Sequence, residues 1–190
     1  MVTTAQSTIT IVLAVVTTTS NGVSGAANLR QVQRNLGGAT YTPSGDCFSA
    51  MLDAVNKERA AQGLSALCMN QKLQAAAQRH SDDQAAHNFM AHDGSDGSTM
   101  SQRVTDAGYK WSAVAENVAA GQVGVAAVME SWMNSPGHRA NILGDYTMFG
   151  PAYAYNVDST YQHYWTQDFG SGSTEACEGS DSTMQIAAQN

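Results

Sequence analysis

Ala115-Glu116-Asn117-Val118-Ala119 is the stretch around which this chain is organised. Phe89-Met90-Ala91-His92 precedes it, and Trp132-Met133-Asn134-Ser135-Pro136-Gly137-His138-Arg139 follows it. Each piece sets an ionisable or metal-capable side chain just outside a helix-like or apolar run. A carboxylate between two imidazoles can bind a divalent metal, share a proton, or brace three segments against one another. His92, Glu116 and His138 therefore form the candidate cluster, and the rest of the chain is its scaffold.

The 190 residues suffice for one domain of about 100–150 residues with a leader and a tail. A hydrophobic content of 43% and three Trp fit a packed core. Net charge is −7, and from Cys47 onward seven Lys/Arg face fifteen Asp/Glu. So acidic a domain repels phosphate backbones, which sets nucleic-acid binding aside. No stretch reaches the ~20 apolar residues of a membrane span.

The apolar run Ile9-Thr10-Ile11-Val12-Leu13-Ala14-Val15-Val16, followed by small residues at Val23-Ser24-Gly25-Ala26-Ala27, reads as a secretory signal peptide over residues 1–26. Residues 27–46, with Gly37-Gly38 and Pro43, read as a flexible linker or pro-segment. The folded domain is expected over 47–172. Residues 173–190, rich in Gly, Ser, Thr and Gln, are expected to form a loose tail. Cys47, Cys68 and Cys177 contain no Cys-x-x-Cys pair, which argues against a thiolate zinc site. Export favours a disulfide. Cys47 and Cys68 flank a helix that holds its ends ~20 Å apart unless the next loop folds back. A bridge from Cys177 to one of the other two is the favoured pairing.

Phe48, Met51, Leu52 and Val55 follow helical spacing and predict a helix over about 48–61, stopped by Gly63. Leu64-Ser65-Ala66-Leu67 is a short extended piece. Leu73, Ala76, Ala77, His80, Gln84 and His87 share one face of a second helix over about 70–87. On that face His80 and His87 read as hydrogen-bonded core or rim residues, since no His-Glu-x-x-His is present. The loop His92-Asp93-Gly94-Ser95-Asp96-Gly97-Ser98 has Gly where a calcium loop needs its fifth ligand. It reads instead as a cap for a third helix, with Ser98 as N-cap and Met100, Val104 and Ala107 inward. Val125, Val128, Met129, Trp132 and Met133 stripe a further helix. Pro136 and Gly137 are expected to end it and to present His138 at its C-terminus, where a protonated imidazole is favoured. Residues 147–155 and 161–169, joined by a polar loop, predict an antiparallel hairpin. On its second strand Tyr161, His163, Trp165, Gln167 and Phe169 share one face; Gln162, Tyr164, Thr166 and Asp168 share the other.

These motifs together resemble the CAP superfamily of cysteine-rich secretory proteins, insect venom antigens and plant pathogenesis-related class 1 proteins. The resemblance is carried by Ala54-Val55-Asn56-Lys57-Glu58-Arg59 with Gly63-Leu64, Phe89-x-x-His92, Ala115-Glu116-Asn117-Val118-Ala119, Trp132 through Leu143, and Tyr164-Trp165-Thr166-Gln167. It spans about residues 47–170. It implies an α+β fold, a secreted three-layer α-β-α sandwich with a small, mostly antiparallel sheet and a surface cleft. In animal and plant members that cleft holds two His and two Glu. His92 and Glu116 match the first of each; Ser135 stands at the second Glu position and Tyr164 at the second His position. The Ser-Pro-Gly-His-Arg segment resembles a bacterial-type variant in which His138 serves the cleft. The expected ligand-binding residues are thus His92, Glu116 and His138, with Tyr164 at their edge.

Two functions follow. The first is a secreted, non-enzymatic binding module; the resemblance implies a sterol, a fatty acid or a protein partner, in host–microbe settings. The hairpin loop is the piece expected to meet a lipid. The second is a metal-dependent hydrolase, with His92, Glu116 and His138 holding a divalent metal such as zinc. A third reading leaves the cluster as a brace that hydrogen-bonds three segments together.

Overall fold

A computed structural model describes residues 45–179. The expected signal peptide and all but the end of the expected linker lie outside this range, as does the tail beyond Gly179. Helix α1 runs Gly45–Ala60, strand β1 Cys68–Met69, helix α2 Gln71–His87 and helix α3 Met100–Asp106. Strand β2 is Ala113–Ala120, helix α4 Val125–Met133, helix α5 Pro136–Ile142, strand β3 Met148–Tyr155 and strand β4 His163–Ser171.

The four strands form one sheet in the order β1-β3-β4-β2. β1 runs parallel to β3, and the other neighbours pair antiparallel. β3 and β4 are the expected hairpin. β2 carries Glu116 and was not expected as a strand. It lies in the middle layer and is buried on both faces along most of its length, so its sequence lacks the two-residue alternation of a half-exposed strand.

α2 covers one face of the sheet. Leu73, Ala76, Ala77, His80, Ser81, Gln84 and Ala85 turn inward, as the helical spacing predicts. Asn70 caps its first turn by accepting from the Lys72 and Leu73 backbone N–H groups. Asn88 ends it in the left-handed conformation, at φ 55°. α1, α4 and α5 cover the other face, where Met51, Val55, Val128, Trp132, Ile142, Phe149, Trp165 and Phe169 form the main core. Burying a side chain such as Leu73 stabilises the fold by about 1.5–3 kcal/mol. The expected α-β-α sandwich is therefore present.

Two helix boundaries differ from the expectation. Thr99, not Ser98, caps α3; its side chain accepts from Gln102 N–H while the Gln102 side chain accepts from Thr99 N–H. This reciprocal pair satisfies two orphan donors at once, which Ser98 cannot do at its spacing. Pro136 does not end the helical region but opens α5. Proline's fixed φ and missing N–H suit the first turn of a helix, where that N–H has no partner.

Cys68 and Cys177 form the disulfide, one of the two expected pairings, and Cys47 is a part-buried free thiol. The first part of the expected loose tail is held down. Asn70 Nδ2 donates to Ala176 O, Glu178 N–H to Met69 O, and Lys72 Nζ lies 2.8 Å from Glu175.

Candidate functional site

Strand register decides which side chains meet. Glu116 pairs across β2–β4 with Asp168, so both carboxyls point to the α2 side of the sheet. Asn117 and Gln167, one residue on, point to the other side and hydrogen-bond each other at 3.1 Å.

Glu116 is buried, with 1% of its side chain exposed, and both of its oxygens are engaged. Oε1 lies 2.9 Å from His92 Nδ1, and Oε2 accepts from Arg103 Nη2 at 2.7 Å. The His92 side chain is 59% exposed; that of Arg103 is 1% exposed. Arg103 also donates to the backbone carbonyls of His92 and Ser98, and so pins the loop that carries His92. One carboxylate thus holds a buried guanidinium on one oxygen and a surface imidazole on the other. The Glu116 bond raises the His92 pKa above its ordinary 6.5, against a smaller opposing effect of burial.

Asp168 is fully enclosed beside this pair. Burial, followed by the negative charge of Glu116, pushes its carboxyl well above the ordinary range and so favours its protonated form. Glu116 faces it across the β2–β4 pair, although the two carboxyls do not meet in a hydrogen bond of ordinary geometry. Neither Arg103 nor Asp168 belongs to the expected cluster. Both left a signal. Arg103 falls in the inward stripe of α3 with Met100, Val104 and Ala107, at i+3 from the first. Asp168 shares the strand face of Tyr164 and Thr166. A charged residue on an inward face asks for a buried partner.

His138 sits in the first turn of α5, not at a helix C-terminus. Its pKa is lowered, by burial and then by the charge of His92, where the expected location favoured a raised one. His138 is thus near enough to His92 to feel its charge, and its backbone carbonyl accepts from Asn117 Nδ2 at 3.1 Å. Among the described residues, no group of three or more His, Cys, Asp or Glu is placed to hold a metal ion. The one carboxylate of the expected trio is already bonded on both oxygens, one of them to a buried guanidinium. The donor set does not fit a zinc site of three convergent protein ligands.

Tyr164 is fully buried and lies on the Glu116 side of the sheet, as parity requires, but not at the edge of the pair. It stands four residues along β4 from Asp168, about 13 Å at strand rise. Its hydroxyl donates to Asn88 Oδ1 at 3.2 Å and so braces the end of α2. His163 points to the opposite face, where its Nδ1 lies 2.7 Å from the Tyr153 hydroxyl. His80 and His87 are the hydrogen-bonded histidines expected. His80 is buried with Nε2 2.8 Å from Ala91 O, and His87 sits at the rim, bonded to Asp83. The cavities beside the disulfide, between α2 and α3, and at the α4–α5 elbow do not include His92, Glu116 or His138 in their lining.

The comparisons with known proteins agree with this architecture. The profile of the cysteine-rich secretory protein family, CAP, matches residues 52–169. The Bacillus subtilis protein YkwD is 32% identical over 120 residues, covering 63% of this chain and 45% of its own length. A Bacillus anthracis extracellular protein containing an SCP domain superposes with a TM-score of 0.58 at 27% identity, over 65% of this chain and 40% of that one. An outer surface protein of Borrelia burgdorferi shares the fold at a TM-score of 0.62 and 18% identity, over 68% of this chain and 95% of that one. The chain spans less than half the length of the curated relatives it matches. With the family profile covering more than half of its residues, and with the α-β-α sandwich and Glu116–His92 pair in place, the chain belongs to the cysteine-rich secretory protein (CAP) family.

Proposed function

We propose that this chain is an exported, non-enzymatic binding module whose ligand-facing group is the His92 imidazole. One observation carries the reading. Both oxygens of Glu116 are committed, to Arg103 at 2.7 Å and to His92 at 2.9 Å. The carboxylate orients a surface ring and is not left free as a general base, and the neighbouring Asp168 is buried away from any ligand. With Nδ1–H donated to Glu116, the outward Nε2 accepts an N–H or O–H of a ligand in the neutral ring and donates to a carbonyl or carboxylate once the ring is protonated.

The ligand classes this reading admits are a sterol, a fatty acid or a protein partner, met outside the cell in a host–microbe setting. Apolar side chains that favour such ligands stand at one end of the sheet. Val157 and Tyr161 in the β3–β4 loop are 62% and 45% exposed, and Val123 in the β2–α4 loop is 74% exposed. Export is supported by the apolar run at residues 9–16 and by the Cys68–Cys177 disulfide. Among the described residues no helix is long and apolar enough to cross a membrane.

The full chain, expressed for secretion, is to be titrated with labelled cholesterol and labelled palmitate, used as bait for extracellular proteins, and assayed against peptide and ester substrates. Saturable binding that weakens in His92→Ala, without turnover, is the expected result. Turnover of a peptide or ester that disappears in His92→Ala would sink the reading.

A further inference from the structure

Four cations line the three cavities described on this domain. Lys72, in a cavity of about 360 Å³ beside the disulfide, is paired with Glu175 at 2.8 Å. Arg79 and Arg103, in a cavity of about 320 Å³, are paired with Asp96, Asp106 and Glu116. Arg139 differs. It is exposed, and no hydrogen bond or ion pair engages its guanidinium among the described residues. It lines a cavity of about 360 Å³ in the elbow between α4 and α5, with Met133, Asn134, Pro136, Ala140 and Leu143. Four of those walls are apolar, one is an amide, and Arg139 is the single ionisable group.

The elbow is held from beneath. Asn117 Nδ2 donates to His138 O, and Asn141 Nδ2 donates to Glu116 O and to Asn117 Oδ1. Buried Arg59 donates to the carbonyls of Ile142 and Gly144 that end α5. A crevice fixed by its own backbone contacts does not have to be ordered when something enters it.

We propose that this elbow is a docking site for a partner protein. The partner places an apolar side chain between Met133 and Leu143 and an adjacent carboxylate on Arg139. Charge complementarity carries the choice. On a chain of net charge −7, an unpaired guanidinium at an apolar rim is a local exception, and carboxylate is the group whose two oxygens match its parallel N–H donors. The open shape favours a side chain over a free fatty acid. Pro136 and Ala140 stand exposed at the rim. Small-molecule pockets enclose about 70–90% of their ligand, which this elbow would not do for an acyl chain. A partner's side chain arrives with its own protein to cover it. The surface contains no residue of the His92–Glu116–Arg103 group and is independent of the binding proposed there.

The test applies the labelled full chain to an array of immobilised peptides in which each apolar residue is set beside Asp, Glu, Asn or Gln. Retention should concentrate on the apolar–Asp/Glu pairs. It should fall roughly tenfold in Arg139→Glu, the scale of one charge-assisted contact. It should fall likewise in Ala140→Trp, which fills the crevice from an exposed position, and should be unchanged in Lys110→Glu, the same charge change at an exposed cation outside the elbow. Melting curves matched to the parent chain establish that each variant is folded. Absence of any retained peptide, retention indifferent to the carboxylate, or retention unchanged in both elbow variants overturns the proposal. So does Arg139-dependent binding of dodecanoate without binding of peptide.

Discussion

Glu116 holds two positive partners of opposite accessibility, and its chemistry follows from that asymmetry. The exposed partner, His92, gains a raised pKa from the bond. A His raised in the folded state adds stability that is fully present below the ordinary 6.5 and is lost as pH rises through the raised value. Glu116→Gln should therefore move the His92 titration downward in an NMR pH series; an unmoved curve would mean that the bond does not form in solution. Asp168 works in the opposite sense. An acid with a raised folded pKa costs stability once pH exceeds its unfolded value, because folding then requires a proton to be taken up. Asp168→Asn removes that requirement. Its melting temperature relative to the parent should be higher at pH 8 than at pH 4, and a difference independent of pH would show that Asp168 is ionised.

At the scale of elements, the contact between α2 and β3 is the tightest in the layer stack. A Cβ built on Gly150 would lie 2.2 Å from the Gln74 nitrogen and 2.3 Å from the Leu73 carbonyl carbon. Both are backbone atoms of α2 and cannot swing aside. Gly150 lies across β3–β4 from Asp168, so the same close approach holds α2 over the buried carboxyls. Gly150→Ala should cost at least the ~1–3 kcal/mol typical of an overpacked core, read from chemical denaturation. A change under ~0.5 kcal/mol would show that helix and sheet separate easily. The α4–α5 elbow has a different origin. Pro136 opens a second short helix, turns the chain, and leaves the Met133–Leu143 crevice on the outside.

For the molecule as a whole, the Cys68–Cys177 bridge joins the start of the sheet to the end of the described chain across 109 residues. A loop of that size removes about 4–5 kcal/mol of unfolded-state entropy in the chain model, and native bridges commonly contribute about 2–5. The Cys68→Ser, Cys177→Ser double variant should lose stability in that range in urea titrations. A loss below ~1 kcal/mol would mean that the Lys72–Glu175 and Asn70–Ala176 contacts hold the segment alone.

The sequence by itself determined the first two helices, expected over about 48–61 and 70–87 and found at Gly45–Ala60 and Gln71–His87, the β3–β4 hairpin, its two-faced parity and the family, because these rest on local periodicity and contiguous motifs. His92 and Glu116 were legible for the same reason. The tertiary structure alone decided that Glu116 faces Asp168 and that Arg103 bonds its second oxygen. It also decided that His138 enters from a helix start and that Tyr164 bonds Asn88. The Glu116–Asp168, Arg103 and Tyr164 contacts depend on the register and packing of segments distant in sequence. A one-residue shift in that register would turn every side chain of β2 to the other face of the sheet.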